Sequence, residues 1–223
     1  MEFIKTSSAA KGVKALSARL SQDLKKGKRV LWLVGGGSNI PITVEVMAAL
    51  PHEHTKNLSV FLIDERYGEV NHINSNAKQL IDNGFQPKDA IFVQVLAPGF
   101  SLEETRERYG EASKRAFANA DVIVTQIGMG PDGHIAGILP NTPAATSTDW
   151  VVAYETPTYT RISLGFEALK QITAAYIFCF GVERKPALLR LRDEDVPLEE
   201  QPAQLLKTLP EAYIFNDQVG DRS

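Results

Sequence analysis

Short, unbroken apolar segments recur along this sequence and constrain its fold more than any other feature. RVLWLV, LSVFLI, AIFVQVL, DVIVTQI and AAYIFCF have no polar alternation, which is typical of strands buried on both faces of a parallel sheet. Helical segments separate them; in the first, Val13, Leu16, Leu20 and Leu24 recur at helical spacing before Gly27. The alternation predicts an α/β fold: a mostly parallel open sheet with helices on both faces, in a Rossmann-like three-layer arrangement.

Local signals set the boundaries of the other elements. Pro41 suits the first turn of a helix through ITVEVMAAL, and Pro51 lies just past its end. Ser75 can cap a helix through NAKQLID, while Ser101 and Glu104 have the spacing of a capping box before a long charged helix. FEALKQI, KPALLRLR and PAQLLKTL are predicted as helices and AYIFND as the last strand. WVVAYE and TRISLG, joined by TPTYT, predict a small antiparallel insert after residue 148.

Composition narrows the class of protein. With 223 residues, 43% of them hydrophobic and 23% charged, we expect one globular domain over residues 1–223. The net charge of −3 and the absence of a basic block disfavour a nucleic-acid or anionic-membrane partner. No apolar run is long enough to span a bilayer and the start lacks a signal peptide, so we expect a cytoplasmic protein. The single Cys179, in AAYIFCFG, is interpreted as a core residue, and 191–202 as an acidic surface loop.

Ligands of such sheets bind outside the carboxyl ends of the strands. The loops at those ends are GGGSNIP, DERYGEVNHINSN, GMGPDGHIAGILP and GVERKP. The polar residues of these four loops are therefore the candidates for a functional site.

The first loop has features of an anion site. Gly36 and Gly37 allow close approach of the backbone, Ser38 adds a hydroxyl, and a helix start supplies free N–H groups. It is not a dinucleotide fingerprint, because Ile40 stands where a third glycine is needed, and no P-loop occurs, which disfavours NAD and ATP. The alternative is a plain strand-to-helix turn.

Two cations could complete an anion site. Arg66 leaves the strand LSVFLID together with Asp64 and Glu65, and arginine can bind a phosphate through two hydrogen bonds. Lys185 follows the strand AAYIFCF at a helix start. The alternatives are a surface salt-bridge cluster and a solvated lysine. The stretch 74–76, Asn-Ser-Asn, is interpreted as cap and turn residues.

The third loop carries an acid and an imidazole. Asp132, two residues before His134, can hold the ring in one tautomer, and histidine exchanges protons near neutral pH. A histidine alone in a loop is more often structural or exposed. The neighbouring anion-binding loops favour a catalytic role here.

Together these motifs carry a resemblance. GGGSNIP, FLIDER with the downstream NSN, GMGPDGHIAGILP, TRISLG and GVERK resemble the glucosamine-6-phosphate isomerase/6-phosphogluconolactonase family, in order from about residue 10 to 216. The resemblance implies hydrolysis of 6-phospho-D-glucono-1,5-lactone in the oxidative pentose phosphate route, without metal or nucleotide. It further implies a sugar-phosphate substrate. For the assembly we expect a monomer or a homodimer.

The resemblance also implies residue roles. His134 would be the general base that activates water, and Asp132 would orient its ring. Arg161, in TRISLG, falls at a position near the substrate. The 6-phosphate would be held by Gly36, Gly37, Ser38, Arg66 and Lys185.

Departures from the family pattern keep two alternatives open. The first loop has Gly35, Asn39 and Ile40 where lactonases usually carry Ser, Thr and Pro, which leaves a non-catalytic sugar-phosphate sensor as one alternative. DGHIA resembles the deaminase branch, and Asp64 matches its proton-shuttling position, so an amino-sugar-phosphate isomerase or deaminase is the other. Against it, Leu139 occupies the place of that branch's Glu, and leucine cannot transfer a proton.

Overall fold

The computed structural model describes residues 1–221 and contains ten strands. In chain order they are β1 Glu2–Lys5, β2 Val30–Val34, β3 Leu58–Leu62, β4 Asp64–Arg66, β5 Ile91–Val93, β6 Val122–Ile127, β7 Val151–Glu155, β8 Thr160–Leu164, β9 Ala174–Cys179 and β10 Glu211–Asn216. Seven of them form a parallel sheet in the order β1-β10-β9-β6-β2-β3-β5. The other three form an antiparallel sheet in the order β4-β8-β7, so the mostly parallel sheet and the antiparallel insert are both confirmed.

Seven α-helices connect the strands. They are α1 Ala10–Lys25, α2 Ile40–Ala49, α3 Asn76–Asp82, α4 Leu102–Asn119, α5 Pro143–Thr146, α6 Phe166–Leu169 and α7 Lys185–Asp193. Ser75 accepts a hydrogen bond from the Lys78 N–H at the start of α3, and Ser101 and Glu104 form the predicted capping box of α4. Among residues 1–221, no helix combines the length and apolar character needed to cross a membrane.

The core lies around the central strands. Every residue of β2, β6 and β9 is buried, including Trp32 and Cys179, as the unbroken apolar segments predict. Phe117 of α4 meets Trp150 edge to face, with ring centres 5.0 Å apart, and so joins that helix to the antiparallel sheet. The packing holds both sheets against the same core.

Four elements differ from the sequence expectations. The segment AIFVQVL forms only the edge strand β5, in which Ile91 is 60% exposed, where the sequence predicts a strand buried on both faces. The edge strand β1 was not predicted, because four residues with partial burial give too short a pattern. Residues 64–66 leave the parallel sheet after Ile63 and pair with β8 as part of the antiparallel sheet. The segment Pro202–Thr208 is a 3-10 helix, where an α-helix was expected.

The strand order positions the functional loops. Strands β9, β6, β2 and β3 are neighbours and all parallel, so the four loops at their carboxyl ends meet at one edge of the sheet. The antiparallel sheet brings residues of β4 and β8 to the same edge.

Candidate active site

A cavity of about 290 Å³ opens at the carboxyl ends of β2, β3, β6 and β9. All four candidate loops contribute to its lining. The predicted site residues in that lining are Gly36, Gly37, Ser38, Asp64, Arg66, His134 and Arg161.

The glycine loop presents free donors at the helix start. Gly37 has φ +61°, a conformation that side chains with a Cβ rarely adopt, and it opens a single 3-10 turn that leads into α2. Ser38 is exposed at the cavity wall. The first N–H groups of a helix have no partners within it, so this end of α2 is suited to an anion.

Asn39 explains one departure from the family pattern. Its side chain is buried, and in the orientation that satisfies its hydrogen bonds it accepts from the Gly128 N–H (3.1 Å) and donates to the Ile127 carbonyl (3.3 Å). Gln126 Nε2 also donates to the main-chain carbonyl oxygen of Asn39 (3.2 Å). Asn39 thus joins the glycine loop to the loop that carries His134, where the usual threonine would be too short to make the same contacts.

Two arginines stand side by side at the cavity. Arg66 of β4 and Arg161 of β8 are directly opposed across the antiparallel pair. The Nε of each is buried and has no hydrogen-bond partner among residues 1–221. Like charges in opposed positions repel, and a buried donor without a partner is costly, so both observations point to an anionic ligand between them.

Asp64 faces the same cavity and carries an unusual carboxyl. It is 6% exposed, and its nearest cation is Arg161, whose Nη1 lies 3.5 Å from Oδ2. Burial raises the pKa of Asp64, and the positive charges of Arg161, Arg66 and His134 offset that rise only in part. This carboxyl therefore holds a proton closer to neutral pH than an ordinary aspartate.

Glu65 organises the start of α3. Its fully buried carboxylate accepts hydrogen bonds from the N–H groups of Arg66 (2.8 Å), Asn76 (2.6 Å) and Ala77 (3.0 Å) and from the Ser75 hydroxyl (3.0 Å). Even so, burial dominates and raises the pKa of Glu65. Glu65 points away from the ligand space and fixes the backbone on either side of Arg66.

Asn76 is the first residue of α3, directly after the N-cap Ser75, and it also lines the cavity. The interpretation of 74–76 as cap and turn residues does not predict this second position. Its Nδ2 donates to the Asp64 carbonyl (3.0 Å), and its buried Oδ1 lacks a partner within the described part of the chain. The Ser75-Asn76 pair in the sequence marks this position, but the sequence alone does not show that the Asn76 side chain points to the cavity.

His134 and Asp132 form the predicted acid–imidazole pair. His134 Nδ1 lies 2.7 Å from Asp132 Oδ1, which also accepts the His134 N–H (3.1 Å). Partial burial raises the pKa of Asp132, but the hydrogen bond and charge of His134 outweigh it and keep the net pKa below the ordinary range. An ionised carboxylate only accepts, so in the neutral imidazole the proton lies on Nδ1 and Nε2 has the free lone pair.

Gly130 allows this pair to form. A Cβ at that position would lie 2.1 Å from His134 Nδ1 and 2.5 Å from Asp132 Oδ1, closer than any real contact. The Gly130 N–H donates to the His134 carbonyl (3.0 Å), which closes the loop around the pair. A larger residue would push the imidazole away from its carboxylate.

The sequence predicts Lys185 as a cation at the cavity, but the structure places this residue outside the cavity lining. Lys185 is exposed at the first position of α7, whereas the preceding Arg184 lines the cavity. Arg184 Nε donates to the Met129 carbonyl (3.2 Å), and Nη1 donates to the Phe180 carbonyl (2.6 Å). Successive residues of a helical turn point about 100° apart, so a shift of one residue turns a side chain out of the site.

The fold and site together define a class: an α/β protein whose cavity brings arginines, a buried carboxyl and an imidazole together at the carboxyl ends of parallel strands. Comparison with known proteins makes this class specific. Residues 5–214 match the model of the family described as glucosamine-6-phosphate isomerases/6-phosphogluconolactonase. The chain belongs to the glucosamine-6-phosphate isomerase/6-phosphogluconolactonase family.

Individual relatives agree with this assignment. A 6-phosphogluconolactonase of Pseudomonas aeruginosa is 32% identical over 143 residues, which span 61% of this chain and 58% of that protein. A 6-phosphogluconolactonase of Helicobacter pylori is 29% identical over 189 residues, which span 82% and 81% of the two chains.

Solved structures share the fold. A 6-phosphogluconolactonase of Shewanella baltica superposes with a TM-score of 0.81 at 19% identity, covering 97% of each chain. A monomeric glucosamine-6-phosphate deaminase superposes with a TM-score of 0.78 at 17% identity, also covering 97% of each chain. The architecture is thus common to both branches of the family, and the side chains of the cavity must distinguish them.

Proposed function

We propose that this chain hydrolyses 6-phospho-D-glucono-1,5-lactone to 6-phosphogluconate, a step of the pentose phosphate pathway. The observation that carries the proposal is that His134, in contact with Asp132, lines the same cavity as the opposed Arg66 and Arg161. The relatives named 6-phosphogluconolactonase support the choice of substrate.

The phosphate is the proposed anchor of the substrate. Arg66 and Arg161 offer it buried N–H donors, and Gly36, Gly37 and Ser38 offer backbone N–H groups at the start of a helix. Arg184 replaces Lys185 in the proposed set of cations. Anchoring a remote group places the reacting carbonyl, and positioning of this kind can lower a barrier by several kcal/mol, up to roughly 7–11.

His134 is the proposed general base. Because Nδ1 is engaged by Asp132, Nε2 accepts a proton from water, and the water oxygen attacks C1 of the lactone. The bond between C1 and the ring oxygen then breaks, and the imidazolium returns the proton to that oxygen. Asp64 completes the proposed catalytic set, because its raised pKa lets it share a proton with an oxygen of the substrate.

A proton-release assay tests the function. The chain is added to freshly prepared 6-phosphogluconolactone, and acid release is followed above the spontaneous rate. We expect saturable hydrolysis that requires His134. A rate equal to the spontaneous rate at micromolar enzyme contradicts the proposal.

Deamination of an amino-sugar phosphate is a second candidate, favoured by the position of Asp64 in the cavity. The position of the second carboxylate of that mechanism holds Leu139, whose side chain packs against the core and whose N–H donates to the Tyr154 hydroxyl (3.2 Å). Nothing at that residue can move a proton. Release of ammonia from glucosamine 6-phosphate would decide for deamination, and we expect none.

The proposal extends to the organisation of the protein. We propose a single domain over residues 1–223, because one cluster of buried residues runs from Phe3 to Val219. We also propose a cytoplasmic monomer or homodimer that needs no nucleotide or metal. Among residues 1–221, no group of three or more His, Cys, Asp or Glu side chains could hold a metal ion.

A further inference from the structure

Arg66 contacts three groups that lie outside the cavity lining. Its Nη1 donates to the Asn74 carbonyl (2.9 Å), and its own carbonyl oxygen lies 2.9 Å from His72 Nε2. Its guanidinium carbon lies 5.1 Å from the centre of the Tyr159 ring, within the range of a cation–π contact. These contacts leave the buried Nε available to a ligand.

The Tyr159 ring is carried by a closed turn between β7 and β8. The Tyr159 N–H donates to Thr156 Oγ1 (3.1 Å), and the Thr156 N–H and hydroxyl both donate to the Tyr159 carbonyl (2.9 and 2.7 Å). Immediately beyond it, the Thr160 carbonyl accepts the Tyr67 N–H (2.8 Å), which locks the turn to the end of β4. The turn therefore fixes the backbone that carries the ring next to Arg66.

An aromatic ring at this place matters because of the opposed arginines. Arg161 repels Arg66 across the strand pair, and the hydrogen bond from Nη1 to the Asn74 carbonyl opposes that repulsion at one atom of the guanidinium. The face of the Tyr159 ring attracts the guanidinium and restricts its rotamers before any ligand arrives. Ordering the cation in advance reduces the entropy lost on binding.

We propose that Tyr159 is a positioning residue: its ring orients Arg66 for the phosphate and so sets the preference for a phosphorylated over an unphosphorylated lactone. This inference rests on the proposed lactone hydrolysis. Tyr159 touches no reacting atom, and its effect reaches the substrate through Arg66 alone.

The chain offers a matched control for this contact. The Arg108 guanidinium lies 5.6 Å from the centre of the Phe100 ring, which is the same kind of contact outside the cavity lining. The variants are Tyr159→Leu, Tyr159→Phe and Phe100→Leu. For each, kcat and KM are measured with 6-phosphogluconolactone and with unphosphorylated glucono-1,5-lactone, and Kd for 6-phosphogluconate is measured by calorimetry.

We expect Tyr159→Leu to raise KM for the phosphorylated lactone, and Kd for 6-phosphogluconate, by about three- to thirtyfold, the range of a cation–π contact. Its kcat and its kinetics with the unphosphorylated lactone stay unchanged. Tyr159→Phe, which keeps the ring, and Phe100→Leu both match the parent.

Three results overturn the inference: an unchanged KM and Kd in Tyr159→Leu, an equal loss with both lactones, or a Tyr159→Phe variant as weak as the leucine. If the parent hydrolyses neither lactone, the proposed function fails and the Kd values alone decide. A Kd weakened by leucine but not by phenylalanine then still supports the role of Tyr159, and an unchanged Kd overturns it.

Discussion

Charged side chains at the amino ends of the parallel strands are paired with one another, whereas those at the carboxyl ends are not fully paired. In the amino-end cluster, Asp23 accepts from Arg19 Nε (2.7 Å) and Lys28 Nζ (2.9 Å), and Arg19 also pairs with Glu211 (2.7 Å). At the cavity, Asp64 has its nearest cation 3.5 Å away.

The difference is visible in two buried aspartates. Burial raises the pKa of Asp23, but the hydrogen bonds and charges of Lys28 and Arg19 outweigh it, so the net pKa lies below the ordinary value. Burial also raises the pKa of Asp64, and there the neighbouring charges fail to compensate. Charges that are satisfied within the protein serve stability, whereas charges left unsatisfied at a cavity are available to a ligand.

The largest expected effect is on the imidazole of the cavity. His134→Ala should lower kcat for 6-phosphogluconolactone by about 10² to 10⁴, because the general base is lost. The melting temperature should change little, since the side chain is 30% exposed. His54→Ala is the control, because that histidine is similarly exposed (29%) and lies outside the cavity lining. Equal activity of the two variants would remove His134 from the mechanism.

The next effect separates arginines that bind ligand from arginines that bind protein. Arg66→Met should raise KM about ten- to a hundredfold, the value of a charge-assisted hydrogen bond, with kcat little changed. Arg29→Met, which removes a cation paired with Asp121 at the amino end, should leave KM unchanged. Steady-state kinetics of both variants measure KM. A similar KM in the two would contradict a ligand-binding role that Arg66 has and Arg29 lacks.

Asp23→Asn should destabilise the protein by about 1–2 kcal/mol at pH 7, because Arg19 and Lys28 lose a buried counter-charge. The folded-state pKa of Asp23 lies below its unfolded value, so its contribution is present above the unfolded pKa, about 3.9, and is lost as pH falls through the folded pKa. Urea unfolding of parent and variant at pH 7 and near pH 3 measures this. A loss of the same size at both pH values would contradict the assignment.

Asp64→Asn should have the smallest effect and the opposite sign, a gain of about 0.5–1 kcal/mol at pH 7 with reduced hydrolysis. The folded-state pKa of Asp64 lies above its unfolded value, so the carboxyl destabilises the fold once pH exceeds the unfolded pKa. The gain should shrink as pH is lowered toward 4. Urea unfolding of Asp64→Asn and Asp23→Asn side by side compares their free energies of unfolding. A destabilised Asp64→Asn at pH 7 would contradict the expected difference in sign.

The sequence predicts features that depend on periodicity and motif. The buried strands, the capping residues of α3 and α4, and the Asp132–His134 pair all follow from local patterns. Features that depend on long-range pairing do not follow. The strand Asp64–Arg66 exists because it pairs with residues almost a hundred positions later, and the opposed arginines exist only in that register.

Side-chain direction is the other limit of the sequence. GVERK contains two adjacent cations, and only the backbone of the turn Val182–Arg184 decides that Arg184 enters the cavity while Lys185 leaves it. The contact between Tyr159 and Arg66 could not be predicted, because no sequence motif marks a tyrosine in a turn and Arg66 lies far away in the sequence.

A crystal structure of the complex with 6-phosphogluconate shows whether the arginines bind phosphate while His134 faces the reacting carbon. We expect the phosphate within about 3 Å of nitrogen atoms of Arg66 and Arg161 and of the N–H groups at Gly37 and Ser38, with the C1 carboxylate against His134 Nε2. A phosphate bound away from the two arginines, or a C1 carboxylate remote from His134, would contradict it.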